Sequence, residues 1–234
     1  MTRKVFAALV AVVIGCADVA LPAPRAPLAN LNSRIDVAPN GPSVGCPDGT
    51  STPISVAVTA PAGMSESLLD RIFVEAEAIW EPVGITFDWH PIASRTTPRD
   101  WLLALTIENP SDPLAESQAR LGWISFAAGT PDCRIHLSQA SAEELVRRTP
   151  TALDIMFSAH ERLIGRALGR AFSHELGHYI LKSKGHTTQG LMRATWPSEQ
   201  LLSVDRSGFE LSREQREAAT RRIQHTQLTC DQQL

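Results

Sequence analysis

Apolar residues recur along this chain with two periods, and the period switches from stretch to stretch. Ile54-Ser55-Val56-Ala57-Val58 alternates and predicts a strand. Leu68, Leu69, Ile72, Phe73, Ala76, Ile79 and Trp80 then recur at helical spacing. Ser65 stands where an N-cap belongs, and Met64 can staple onto Leu69 across it. Glu81-Pro82-Val83-Gly84 ends that helix. Ile85-Thr86-Phe87-Asp88-Trp89 alternates again, and Trp101 to Ile107 reads as a further strand closed by Asn109-Pro110. Leu121 to Phe126 and Arg134 to Leu137 predict two more, joined by a Gly129-Thr130-Pro131-Asp132 turn. Ser141-Ala142-Glu143-Glu144 has the form of a capping box for a short helix. A long helix is predicted from about Leu153 to Leu181, and a last one from about Arg213 to His225, opened by a second capping box at Ser212 and Gln215. This order predicts an α+β domain: a mixed, mainly four- to five-stranded twisted sheet packed on a backing helix and a long second helix.

The N-terminal part has a different texture. Arg3 and Lys4 precede an apolar run from Val5 to Gly15, too short to span a bilayer. Val13-Ile14-Gly15-Cys16 resembles a bacterial lipobox, in which the chain is cut before an acylated cysteine. Cleavage after Ala17 and an uncleaved anchor are the alternatives, and each puts the protein outside the cytoplasm. Residues 18 to about 53 are rich in proline and lack a hydrophobic period, as a tether or extended arm does. The expected organisation is an export signal over 1–16, an arm over 17–53 and a folded domain over 54–234.

Composition narrows the function classes. With 234 residues and 43% hydrophobic content the chain can bury a sizeable core. A formal charge of -3 with few aromatics and no basic stripe argues against nucleic acid and against polybasic membrane binding. Cys16, Cys46, Cys133 and Cys230 include no C-x-x-C pair, so a cysteine zinc cluster is not expected. If Cys16 is acylated, at most one intramolecular disulfide forms and one thiol is left over.

The chemistry is concentrated in His174-Glu175-Leu176-Gly177-His178, an H-E-x-x-H pattern. Residues four apart stand one helical turn above each other, so both imidazoles can address one ion. Glu175, about 100° round the cylinder, can reach a metal-activated water without ligating the metal. Zinc needs a third protein ligand, and its remaining position holds water. The surrounding helix is apolar over most of its circumference (Leu163, Ile164, Ala167, Leu168, Ala171, Phe172, Leu176, Ile180), so the segment is buried rather than decorative.

The stretch His174 to Met192, HELGHYILKSKGHTTQGLM, resembles the metzincin clan of zinc endopeptidases, especially its matrixin-like members. Their pattern is H-E-x-x-H-x-x-G-x-x-H followed by a methionine turn. The resemblance is strong over 174–192 and weak over 54–225. It implies a zincin-like fold, Zn2+ held by His174, His178 and His186, Glu175 as general base, and a turn at Gly190-Leu191-Met192 beneath the metal. It also implies a peptide substrate lying along an edge strand, with Leu121–Phe126 or Arg134–Leu137 as the candidate edges. Two departures stand out. His186 follows His178 by eight residues, where the family has six, and Leu181 replaces the family's glycine. The helix is therefore expected to run half a turn longer and reverse at Gly185. Glu199, Asp205 and Glu210 are the alternatives for a third ligand, in a gluzincin-like arrangement. A tyrosine ligand two residues after the methionine is excluded, since that position is Ala194.

Other residues default to structural roles. His160 is four to five turns from His178, too far to share an ion. His90, His136 and His225 lack motif context. Gly165 and Gly169 are expected to admit a close-packed neighbour. Cys46 is faintly similar to the zinc-blocking cysteine of matrixin propeptides, but a disulfide or free thiol is preferred. The expectation is thus an exported, monomeric zinc metallopeptidase acting on peptides or proteins, touching membrane only through a lipid anchor at Cys16. An inactive metzincin-like surface binding module is the alternative.

Overall fold

The computed structural model describes residues 11–13, 17–18, 53–92, 103–109, 120–149 and 157–225. The lipobox-like residues 14–16, most of the proline-rich arm, Cys46, Cys230 and the predicted helix start at 153–156 lie outside them. Two short strands come first, β1 (Ala11–Val13) and β2 (Ala17–Asp18), followed by β3 (Ile54–Thr59) and α1 (Glu66–Trp80). After a 3-10 turn at Glu81–Val83 come β4 (Phe87–Pro91), β5 (Leu103–Glu108), β6 (Gly122–Ala127) and β7 (Thr130–Ser138). The rest is α2 (Gln139–Arg148), α3 (Phe157–Leu181), β8 (Thr195–Pro197), α4 (Ser198–Leu202) and α5 (Arg213–His225). The architecture is α+β.

Local chemistry explains the starts and stops. Ser65 caps α1 as expected, its hydroxyl accepting from the Leu68 amide at 3.1 Å. Ser212 and Gln215 close their reciprocal box, with the Ser212 amide donating to Gln215 Oε1 at 2.9 Å and the Gln215 amide to Ser212 Oγ at 3.2 Å. The cap of α2 is Ser138 rather than Ser141, whose amide donates to the Ser138 hydroxyl at 3.2 Å. Because β7 runs on to Ser138, the helix can start three residues early. β4 begins two residues later than the alternation suggested, because Trp80 to Gly84 continue as a 3-10 turn. The β6–β7 turn is tighter than predicted. Ala128 and Gly129 take φ 49° and 84°, and Thr130 and Pro131 already belong to β7.

The main sheet has the order β2-β6-β7-β5-β3-β4. β3, β4, β5 and β7 are mutually parallel where they pair, and β6 is antiparallel to β7. Of the two candidate edges, β7 is interior. β6 has a free side, on which β2 pairs only at Ser125 and Phe126. β1 pairs with β8 in a separate ribbon. One hydrophobic core joins the sheet to α1 and α3, including Val56, Ile72, Leu105, Ile135, Leu168 and Phe172. Such side chains each stabilise by about 1.5–3 kcal/mol when fully buried. α1 crosses α3 closely: a Cβ at Gly165 would lie 2.5 Å from Arg71 Cβ, and one at Gly169 would lie 2.8 Å from the Ile72 carbonyl oxygen. The two glycines do admit a neighbour, and that neighbour is α1. No helix of the described residues is long and apolar enough to cross a membrane.

Candidate metal centre

α3 is the element that carries the site. One face of it meets the sheet and another meets α1, so His174, Glu175 and His178 are drawn into the interior although all three are polar. Their rings converge: the Nε2 atoms of His174 and His178 are 3.0 Å apart. Each ring is held by its other nitrogen, His174 Nδ1 to the Leu191 carbonyl at 2.7 Å and His178 Nδ1 to the Ser183 carbonyl at 2.6 Å. A carbonyl only accepts, so each Nδ1 carries its proton and each Nε2 is left with a lone pair. Two lone pairs facing each other repel unless a cation stands between them. Nitrogens 2.0–2.1 Å from a tetrahedral zinc would be about 3.3 Å apart, close to the spacing here.

His186 completes the group. Its ring centroid is 5.3 Å from that of His174 and 4.9 Å from that of His178. One ligand atom from each of the three lies within 4.8 Å of the others, and they are the one such group of His, Cys, Asp or Glu among the described residues. Glu199, Asp205 and Glu210 are outside it. All three are exposed, and the Asp205 carboxylate instead accepts from the Ser207 amide and hydroxyl. His136 is structural, bonded to Glu108 at 2.8 Å and stacked on Trp123. His160 lies on α3 outside the cluster, and His225 ends α5.

The route from His178 to His186 differs from the expectation. α3 stops at Leu181, and the chain reverses at Lys182, whose φ is 46°. The Lys182 amide donates to the Tyr179 carbonyl and the Ser183 amide to the His178 carbonyl, the paired bonds of a Schellman cap. Gly185 is not in a left-handed conformation. The additional residues thus lengthen the loop and not the helix, and the Ser183 carbonyl is thereby presented to His178. Farther on, Gly190 has φ 73°, and a Cβ there would lie 2.5 Å from the Glu210 carbonyl oxygen, so glycine is required. The following Met192 is buried under the site, its sulfur 2.3 Å from where a Cβ on Gly177 would be.

Burial dominates the electrostatics. It lowers the pKa of His174 to about 3, helped by His178 and opposed by the hydrogen bond to Leu191. It lowers that of His178 to about 4, opposed by the bond to Ser183. His186 is lowered too, again by burial. Glu175 is fully buried, and neither carboxylate oxygen has a hydrogen-bond partner among the described residues. Burial raises its pKa well above the carboxylate range; the Ile124 amide, which approaches without closing a hydrogen bond, and the charge of Arg120 act in the opposite direction. An orphaned carboxylate beside facing lone pairs is costly in a protein interior. A divalent cation would relieve both, so the residues present fit a zinc ion.

Sequence reasoning missed the carbonyls of Leu191 and Ser183, since any residue supplies a carbonyl. It also missed the contact between Gly177 and Met192, although a glycine inside a buried helix is a readable signal of close approach.

No protein-family model matches the sequence, and comparison with curated proteins gives no significant match. Among solved structures, the chain is similar to the archaemetzincin of Methanopyrus kandleri at 14% identity, over 73% of this chain and 96% of that one, with a TM-score of 0.42. It is also similar to metalloproteinase-II of Bacteroides fragilis at 12% identity, over 74% of this chain and 54% of that one, with a TM-score of 0.44.

Proposed function

We propose that this protein is an exported zinc-dependent endopeptidase, with His174, His178 and His186 as metal ligands and Glu175 as general base. The observation that carries the reading is the pair of Nε2 lone pairs 3.0 Å apart, each fixed by a carbonyl behind it. A zinc ion would supply there an electrophile able to lower the pKa of water to about 7 and to polarise a carbonyl. Glu175 follows His174 on the same helix and has no competing partner, so it is free to accept a proton from that water and pass it to the leaving amine. A cation nearby favours its ionised form, opposing the upward shift that burial gives its pKa.

The substrate would lie along β6. Gly122 of that strand packs near Ala171, the Ile124 amide approaches Glu175, and Phe126 stands edge-on to His178. The strand therefore runs past the site in step with α3, and its outer backbone groups can pair with an extended peptide. Pairing by Ala17 and Asp18 is in keeping with this, and the register shift between Ile124 and Phe126 turns the edge locally. Met192 beneath Gly177 supports the metzincin resemblance, matrixin-like members included. Export rests on the charged start and apolar run of residues 3–15, with the arm over 17–53 and the domain over 54–234. The disulfide at Cys133 is consistent with an oxidising compartment. Acyl labelling that disappears in Cys16→Ser would place the anchor.

Purified protein is expected to hold one zinc per chain and to cleave a quenched peptide library, with loss on chelation and recovery on adding zinc. Glu175→Gln should keep the metal and lose about 10²–10⁴ in kcat. His186→Ala should lose tight zinc by elemental analysis. Zinc-loaded protein that cuts no peptide would replace this reading with the surface binding module.

A further inference from the structure

The opposite end of α3 carries a second feature, unrelated to the histidines. A cleft of ≈ 410 Å³ opens between α1, α3 and the loop after α4, and four arginines line it: Arg71, Arg162, Arg166 and Arg206. Two carboxylates share the lining, Asp70 and Glu75. Glu75 is already engaged. Its Oε1 accepts from the buried Arg170 at 2.8 Å, and its Oε2 accepts from Arg206 at 2.8 and 3.0 Å. Arg166 donates one bond, to the Leu202 carbonyl at 2.9 Å. Arg71 and Arg162 make no hydrogen bond or ion pair among the described residues, and Arg71 Nε is buried without a partner.

This gathering works against the fold. Arg162 and Arg166 are one turn apart on the same helix, where like charges destabilise. Arg71 is brought against them because Gly165 has no side chain to hold α1 away. Burial, together with the charges of Arg206, Arg162 and Arg71, lowers the pKa of Arg166 against the pull of Glu75. Guanidiniums stay protonated under such pressure, so the repulsion is retained as positive potential. A chain with a net charge of -3 has no general reason to concentrate it here.

We propose that this cleft binds a phosphate-type anion, held by the guanidiniums of Arg71, Arg162, Arg166 and Arg206. Planar guanidinium forks match the oxygens of a phosphate, and an anion among them removes their mutual repulsion. The surroundings bear on where the phosphate comes from. Val74, on the cleft wall, and Val204, two residues before Arg206, are the large hydrophobics left exposed among the described residues, at 59% and 75%. A cationic cleft with an exposed apolar residue on its wall suits the headgroup of an anionic lipid, and the cleft alone suits free phosphate. Arg166 and His174 are eight residues apart on α3, about 12 Å along the axis, so the cleft is separate from the metal centre.

The test uses the full chain carrying Cys16→Ser, so that no acyl group mediates membrane binding. Inorganic phosphate is titrated calorimetrically, and flotation is measured with vesicles of phosphatidylcholine alone or mixed with phosphatidylglycerol. The expected result is saturable phosphate binding, retention on the phosphatidylglycerol vesicles only, or both. Phosphate binding without retention identifies a soluble ligand, and retention identifies a headgroup. In Arg71→Gln/Arg162→Gln the binding should fall at least tenfold, with zinc content unchanged and Tm unchanged or raised, since neither side chain is bonded to the fold and their repulsion of Arg166 is removed. Single Arg162→Gln, at an exposed position, guards against misfolding of the double variant and should weaken binding about threefold. No binding of either probe, or binding that these variants retain in full, overturns the proposal.

Discussion

The proton on each Nδ1 of His174 and His178 is assigned by what it touches. A carbonyl behind each ring forces the lone pair forward, and the two lone pairs then face each other at 3.0 Å. The same burial that arranges them makes the histidines poor bases, with pKa values near 3 and 4. The consequence for stability has a definite sign. An unfolded histidine takes up a proton near pH 6.5, and the folded ones resist until about pH 3–4. Below pH 6.5 the unfolded state therefore gains two histidine protons, against the one that buried Glu175 with its raised pKa favours in the folded state, so stability falls as the pH falls. Chelator-treated protein should show a Tm that declines from about pH 6.5 toward pH 4, measured by calorimetry. Saturating zinc should hold the Tm up over the upper part of that range, because it binds only the folded, unprotonated set. A flat Tm over that window in metal-free protein would contradict the ring environments described.

Elements follow their local signals except where a neighbour competes. α1 and α5 begin at the serines that the sequence marks, whose hydroxyls accept from the Leu68 and Gln215 amides. α2 had two candidate serines, and the length of β7 chose Ser138. The end of α3 is the most instructive case. A helix without a glycine stop after His178 reads as one that continues, yet the chain reverses at Lys182 in a left-handed conformation. That conformation costs a residue with a Cβ about 1–2 kcal/mol. Lys182→Gly should therefore stabilise the protein by up to about 1 kcal/mol, the gain being reduced by the freedom glycine adds to the unfolded chain. Zinc affinity should be unchanged. A clear loss of stability in denaturant titration would mean that the Lys182 side chain contributes more than its backbone costs.

At the scale of the molecule, a single side chain ties the parts together. Arg170 of α3 is fully buried and bonds Glu75 of α1 together with the carbonyls of Gln200, Leu201, Ser203 and Asp205, and it stacks on Phe209 at 4.2 Å. Burial lowers its pKa, and Glu75 opposes that shift. Every N–H of the guanidinium is thereby used, four of the five on backbone carbonyls. Arg170→Met would leave the buried Leu201 carbonyl without this donor and Glu75 with Arg206 alone. We expect a loss of about 3–5 kcal/mol and a fall in Tm of roughly 10 °C by calorimetry. Arg170→Lys should not rescue it, because an ammonium cannot reproduce the fork.

The sequence by itself determined β3 to β7, α1 to α3 and α5, though not β1, β2, β8 or α4, and the chemical pair at the centre. Alternation and helical spacing depend on nearest neighbours, and His174, Glu175 and His178 lie within one turn, so helix geometry alone sets their relation. The Gly185-His186 and Gly190-Leu191-Met192 words pointed to the correct loop, although the place of reversal did not follow from them. Only the tertiary structure decided the strand order, the interior place of β7, that His186 and not Glu199, Asp205 or Glu210 stands beside the two helix histidines, and the carbonyls that orient the rings. It alone brought Arg71, Arg162, Arg166 and Arg206 to one cleft in a chain whose overall charge gives no sign of it. The reason is distance along the chain. Contacts between residues many positions apart depend on how whole faces pack, and a linear pattern records which residues are apolar or charged but not which face each will meet.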